Sequence, residues 1–349
     1  MNITPQLIQV FSWTALAFAF TLILTPVYLH FAKKLKLGKQ IREEALSGGK
    51  ASIFREMHVK KTGTPTMGGV IMWGSVLLVI FFSRLLSFLG ILESSLLQRG
   101  LVYLPLFTLV AMGILGAVDD YFNIKQIGKT RGIKAKPKML FLILFGILGA
   151  WWFYYKLGMS SIHIPSVGDF EIGIWYIPLF ILVIISTSNA VNITDGLDGL
   201  AGGLLIIAYS VFGVIAFTQS QLVLAIFCGI MVGSLMAFLW NNVPPARFYM
   251  GDTGSLAYGA TLGVIAMMID SLAVLIIVGM VFIIETLSVL IQLTSKRLFK
   301  KKVFLIAPLH HHFEKKGWGE AKITMRFWIL GAIFGVIGLV IGLLGMGIR

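Results

Sequence analysis

Charge is scarce in this chain, and negative charge scarcer still. Of 349 residues only 13% are Asp, Glu, Lys or Arg, and 15 carboxylates stand against 29 cations. Soluble domains carry about 25% charged residues, so an ordinary globular fold is excluded. Cysteine occurs once, at Cys228 inside an apolar run, which excludes an intramolecular disulfide. Low-complexity tracts and internal repeats are missing too. No polar stretch is long enough for a second, soluble domain, so residues 1–349 read as a single membrane domain.

Apolar residues make up 57% of the chain. They gather in runs long enough to cross about 30 Å of hydrocarbon: about 7–31, 68–91, 101–119, 139–157, 174–191, 200–217, 222–240, 255–269, 271–295 and 326–347. The expected fold class is therefore an all-α polytopic membrane protein of about ten transmembrane helices. The first run has no basic segment before it and no small-residue cleavage site after it, so it is expected to remain a helix. After the fourth helix, SSIHIPSVGDFEIG alternates and turns like a small β-hairpin. Asp169 and Glu171 in it read as solvated, and Asp270 as a helix-end residue.

The cations are not spread evenly. Nine lie between Lys33 and Lys61, six between Lys125 and Lys138, one at Arg247 and nine between Lys296 and Arg326, together 25 of 29 and all in alternate loops. By the positive-inside rule these loops are cytoplasmic and both termini lie outside. The same distribution gives the net charge of +14 a membrane reading and argues against nucleic acid as a partner.

Five aspartates sit in these cytoplasmic loops or at their helix junctions: Asp119 and Asp120 in GAVDDYF, Asp195 and Asp198 in NITDGLDG, and Asp252 in YMGDTGS. A carboxylate at a membrane edge is costly unless paired, hydrated or metal-bound. Coupled transporters place ionisable groups near the bilayer midplane, whereas here only Glu285 lies well inside a run. A membrane-bound enzyme joining a water-soluble substrate to a lipid is favoured over a carrier.

Asp119 and Asp120 close a helix, where anions are disfavoured. They suit a divalent cation shared with phosphate oxygens, and Lys125, Lys129, Lys134, Lys136 and Lys138 follow to neutralise phosphate. Asp195 and Asp198, three apart, share a helix face or a glycine-rich turn, with an N-cap role open to either. Asp252 stands between glycines at a helix start, where backbone N–H groups favour phosphate, and the Tyr249 ring nearby can stack on a base. Lys61, ahead of Thr62-Gly63-Thr64-Pro65-Thr66, offers a further cation with flexible backbone donors. Gly128-Lys129-Thr130 lacks the first glycine and the preceding strand of a P-loop. Contiguous His310, His311 and His312 suit substrate contact or acid–base work better than a zinc site.

Read together, K-x-G-T-P-T-M-G-G, A-V-D-D, N-x-T-D-G-L-D-G-L-A-G-G, M-G-D-x-G-S and P-L-H-H-H-F-E resemble the polyprenyl-phosphate N-acetylhexosamine-1-phosphate transferase superfamily along essentially the whole chain. The last motif points to the branch that transfers phospho-MurNAc-pentapeptide from UDP-MurNAc-pentapeptide to undecaprenyl phosphate, giving lipid I and UMP in peptidoglycan synthesis. The resemblance implies Mg²⁺, a homodimer in the bacterial inner membrane, a cytoplasmic-face site and periplasmic termini. It implies Asp252 as the leading Mg²⁺ ligand with Asp120 beside it, and Asp119, Asp120, Asp252 and His310 as catalytic residues. The implied substrate-binding set is Lys61, Thr66, Asn192, Asp195, Asp198, Asn242, Tyr249, Gly251, Ser255, Gln292 and His311. Tyr249, which would pack against uracil, stands where the superfamily usually has Phe. A sister enzyme using UDP-N-acetylglucosamine shares the aspartate motifs but is disfavoured by P-L-H-H-H-F-E. A membrane prenyltransferase would release diphosphate rather than UMP.

Overall fold

The computed structural model describes residues 3–38, 63–98, 100–127, 133 and 135–346, most of them helical. In hydrocarbon every backbone N–H and C=O must be satisfied within the segment, which leaves the helix as the form for these apolar runs. The order is α1 (Thr4–Lys34), α2 (Gly69–Phe88), α3 (Tyr103–Ile124), α4 (Ala135–Trp151), β1 (Ser161–Ile164), β2 (Gly168–Glu171), α5 (Tyr176–Thr194), α6 (Leu200–Thr218), α7 (Leu222–Asn242), α8 (Gly251–Met268), α9 (Leu272–Val278), α10 (Met280–Leu298), α11 (Leu309–Lys315) and α12 (Glu320–Met346). Polar side chains inside the helices turn back on their own backbone: Thr21, Thr25, Thr108 and Thr261 each donate to the carbonyl four residues earlier, at 2.7–2.8 Å.

Eight of these helices are long and apolar enough to cross a membrane, and α9 with α10 would make a ninth. The remaining expected run, 255–269, the eighth in chain order, corresponds to α8. That helix carries Asp252, Thr253, Ser255 and Thr261 and is buried from Thr253 to Met267. It packs most extensively on α3 and α5. Enclosed by other helices, it needs no apolar face toward lipid. The run 271–295, expected as one helix, is instead broken at Gly279 and bent by 74°. The bend gives α10 its own direction, and Glu285, Ser288 and Gln292, spaced for one helix face, are buried along it.

Strands β1 and β2 form the expected antiparallel hairpin, with Ile162 opposite Phe170. It docks on the turn between α8 and α9, where Asp270 accepts a hydrogen bond from His163 N at 3.0 Å. Asp270 thus ties two elements rather than merely ending a helix. Asp169 reaches His163 Nδ1 at 2.5 Å.

At the opposite end of the bundle, α8 begins against both α2 and α3. A side chain on Gly69 would overlap the backbone at Thr253–Gly254, and one on Gly116 would overlap the carbonyl of Asp252. These two positions let three helix backbones converge on one carboxylate.

Candidate active site

Asp120 lies in the last turn but one of α3, and both its oxygens face the start of α8. Oδ1 accepts from Asp252 N at 3.1 Å. Oδ2 accepts from Thr253 N at 3.0 Å and from Thr253 Oγ1 at 2.7 Å. A helix N-terminus leaves its first N–H groups without internal partners and carries partial positive charge. Asp120 therefore caps α8 from a neighbouring helix. Gly251, at φ +69°, makes this approach possible, because a side chain there would strike the Asp120 carboxylate and Thr66 Oγ1. Thr66 is held in turn: its N donates to Leu37 O at 2.8 Å, and its carbonyl accepts from Tyr28 Oη at 2.5 Å.

With its backbone fixed in this way, Asp252 turns its side chain to other partners. Its Oδ2 accepts from Lys138 Nζ at 2.5 Å, and its Oδ1 accepts from Asn192 Nδ2 at 2.7 Å. The same ammonium donates to Asp119 Oδ2 at 3.1 Å, while Asp119 Oδ1 takes Ile133 N at 2.6 Å. Two carboxylates from α3 and α8 thus share one cation supplied by α4. Asn192 also donates to Ser255 Oγ at 2.8 Å, which aligns α5 with α8. Of the lysines that follow Asp120, Lys138 alone among the described residues ion-pairs with these aspartates. No group of three or more His, Cys, Asp or Glu side chains converges to metal-ligand geometry among the described residues.

A second group forms around the histidines. His310 and Glu285 are both 0% exposed. Glu285 accepts from His310 N at 3.1 Å and pairs with His310 Nδ1 at 3.0 Å. His311 pairs with Glu314 at 2.6 Å, and its ring lies 4.1 Å from that of His310. His312 is half-buried and accepts from Leu305 N at 3.2 Å. Its imidazole is held below the ordinary range, first by partial burial and then by the Lys316 ammonium. Gly196 joins the two groups, since a side chain there would meet His310 Nε2.

The remaining expected site residues divide. Asp195 ends α5, half-buried. Tyr249 is buried, with its backbone paired to Pro65 and Gly68. Asp198 Oδ2 accepts from Ala246 N at 2.9 Å. Asn242 accepts from Gly199 N and donates to Phe248 O, each at 2.8 Å. Gln292 accepts from Val303 N and Phe304 N and donates to Phe304 O. All three hold loops by backbone contacts in this arrangement. Lys61 lies outside the described residues. Sequence reasoning left Glu285 without a role, although a lone carboxylate deep in an apolar run is itself a signal.

A family model described as glycosyl transferase family 4 matches residues 102–270. A protein of Geobacillus sp. (strain WCH70) is 38% identical over 329 residues, covering 93% of this chain and 95% of its own. Proteins of Staphylococcus epidermidis (strain ATCC 12228) and Staphylococcus aureus (strain bovine RF122) are 37% and 38% identical, each over 96% of this chain and 99% of theirs. All three are named phospho-N-acetylmuramoyl-pentapeptide-transferase. The chain belongs to the phospho-N-acetylmuramoyl-pentapeptide transferase family. Both halves of the site fall within the span shared with these relatives. The family-model match runs from α3 to the turn after α8 and so includes Asp119, Asp120, Lys138, Asn192 and Asp252, but not Glu285 or the histidines.

Proposed function

We propose that this chain transfers phospho-MurNAc-pentapeptide from UDP-MurNAc-pentapeptide to undecaprenyl phosphate, forming lipid I and releasing UMP. The observation that carries this reading is the cation shared by Asp119 and Asp252 at an end of the bundle where loops and lipid-facing helices meet. A site of that kind can take a water-soluble diphosphate from one side and a lipid phosphate from the other. The names of the full-length relatives support the donor and the acceptor. The placement of 25 of the 29 cations in alternate loops supports a cytoplasmic-face site with both termini periplasmic. A homodimer in the inner membrane completes the reading.

Phosphoryl transfer asks mainly for positioning and charge neutralisation. An oxygen of the lipid phosphate attacks the phosphorus next to the sugar. The bond from that phosphorus to the bridging oxygen breaks, and UMP leaves with the electron pair. Asp119 accepts any proton the lipid phosphate still carries; with a second pKa of about 6 that phosphate is mostly ionised at neutral pH. Lys138 neutralises phosphoryl oxygen, and Asn192 holds Asp252 in place.

The donor set fits Mg²⁺, since the two carboxylates already accommodate an ammonium. Asp252 and Asp119 would hold the ion. Asp120, the expected second ligand, lies beside them and also accepts from the start of α8, which orients Asp252. When bound, Mg²⁺ would offset charge on the diphosphate.

The test is UMP release by the purified protein in detergent, given undecaprenyl phosphate, UDP-MurNAc-pentapeptide and Mg²⁺, with EDTA and lipid-free controls. Release that requires both lipid and metal supports the proposal. Release from UDP-N-acetylglucosamine instead would assign the sister activity, and transport without UMP a carrier.

A further inference from the structure

Glu285 lies inside α10, in an apolar stretch, fully buried. A carboxylate so placed is costly unless it is fully hydrogen-bonded. All the hydrogen bonds described for it run to one residue: Oε1 and Oε2 accept from His310 N at 3.1 and 3.4 Å, and Oε2 meets His310 Nδ1 at 3.0 Å. A carboxylate on Nδ1 fixes the ring orientation and directs the Nδ1 proton toward itself, which leaves Nε2 as the working nitrogen. In His310 that nitrogen is buried and has no hydrogen-bond partner. Buried polar atoms are nearly always paired, so an orphan here points to a partner that arrives. Nε2 faces Gly196, the residue after Asp195, whose missing side chain leaves the room for the ring.

We propose that Glu285 is a positioning residue, holding His310 so that Nε2 meets a phosphoryl oxygen of the substrate beside the Asp195–Asp198 turn. The identity of that substrate rests on the transfer reading above. The oxygen accepts, so Nε2 carries a proton in the complex, Nδ1 keeps its own, and the Glu285 carboxylate balances the imidazolium charge. Glu285→Gln preserves shape and an acceptor for the N–H groups while removing that balance.

Three measurements test this. Glu285→Gln is expected to lower kcat by about 10- to 100-fold, as loss of an orienting partner does elsewhere. In a His310→Ala background the same substitution should change kcat by less than about twofold, because residues acting as one unit are not additive. Equal losses in both backgrounds would overturn the positioning role and leave a structural one. The second measurement needs no turnover. In ¹⁵N-histidine-labelled protein, the His310 resonances, identified by their absence in His310→Ala, should show a protonated Nδ1 that shifts on Glu285→Gln; an unshifted signal refutes the pairing. Third, Gly196→Ala should lower the melting temperature, and lower it less in the His310→Ala background, where the methyl has room. An equal loss in both would refute the contact. If the wild type releases no UMP from UDP-MurNAc-pentapeptide, the transfer reading fails, while the labelling and melting measurements still decide the Glu285–His310–Gly196 arrangement.

Discussion

Replacing Lys138 with methionine asks whether the site is built around a cation. The ammonium lies 3.1 Å from Asp119 and 2.5 Å from Asp252, and the side chains of Lys138, Asp119 and Asp252 are 15%, 5% and 27% exposed. At 3.1 Å and an effective permittivity of ~20, one such pair has a gross attraction of about 5 kcal/mol. Desolvation offsets much of this, and removing one partner of a largely buried cluster costs about 3 kcal/mol net. Methionine keeps the apolar stem but leaves two carboxylates facing each other. In EDTA the variant should therefore melt lower by roughly 6 °C, at about 2 °C per kcal/mol.

Mg²⁺ should then act with opposite emphasis on the two proteins. In the wild type the ion competes with an ammonium for the same oxygens. In Lys138→Met it meets an unneutralised pair, and at a hundred times its dissociation constant it returns about 2.7 kcal/mol. The rise in melting temperature between EDTA and saturating Mg²⁺, followed by tryptophan fluorescence in detergent, should be larger in the variant by several degrees. A rise no larger than in the wild type would refute the claim that Asp119 and Asp252 form a cation site. The variant should also lose turnover, because the phosphoryl groups lose a neutralising charge, but the melting comparison does not depend on knowing the donor.

Asp252→Asn should abolish UMP release while the protein elutes and melts as a folded species; substantial residual turnover would remove Asp252 from the chemistry. Asn242→Ala strips a buried acceptor from Gly199 N and a buried donor from Phe248 O, so stability should fall by about 1–3 kcal/mol, read as a lower melting temperature. Gly116→Ala places a methyl against the Asp252 carbonyl and should cost at least about 1–3 kcal/mol, with turnover lost because α8 is pushed off α3. Asp270→Ala removes the acceptor of His163 N; hydrogen exchange should rise across residues 161–171 and UMP release should hold, because that turn lies at the other end of the bundle.

The helices were legible because crossing hydrocarbon forces long apolar runs, and the alternation of basic and neutral loops orders them. The two departures have one cause. Helix α8 is enclosed, so its polar residues are tolerated and its apolar signal is weak. The α9–α10 run carries enough apolar residues to look continuous, although Gly279 marks where it bends. Neither enclosure nor bend is a property of the local sequence. Both follow from which neighbours the helix meets.

The site shows the same limit one level down. Placing Asp119, Asp120 and Asp252 together required only that two helix ends, the last turns of α3 and the start of α8, be near one another. The work of each aspartate depends on which donors reach it. Asp119 and Asp120 are neighbours in sequence, but the N–H groups of Asp252 and Thr253, more than 130 residues away, reach Asp120, while Ile133 and Lys138 reach Asp119. The resemblance, not the local pattern, is what named Asp198, Asn242 and Gln292 as substrate contacts, and the backbone amides that reach them lie as far off as Ala246, Gly199 and Val303. Glu285 is the converse case. Its cost of burial demands a partner, and the only question left open by the sequence was which one. After the bend at Gly279, α10 meets the start of α11, and the most buried carboxylate among the described residues pairs with the first histidine of the triplet.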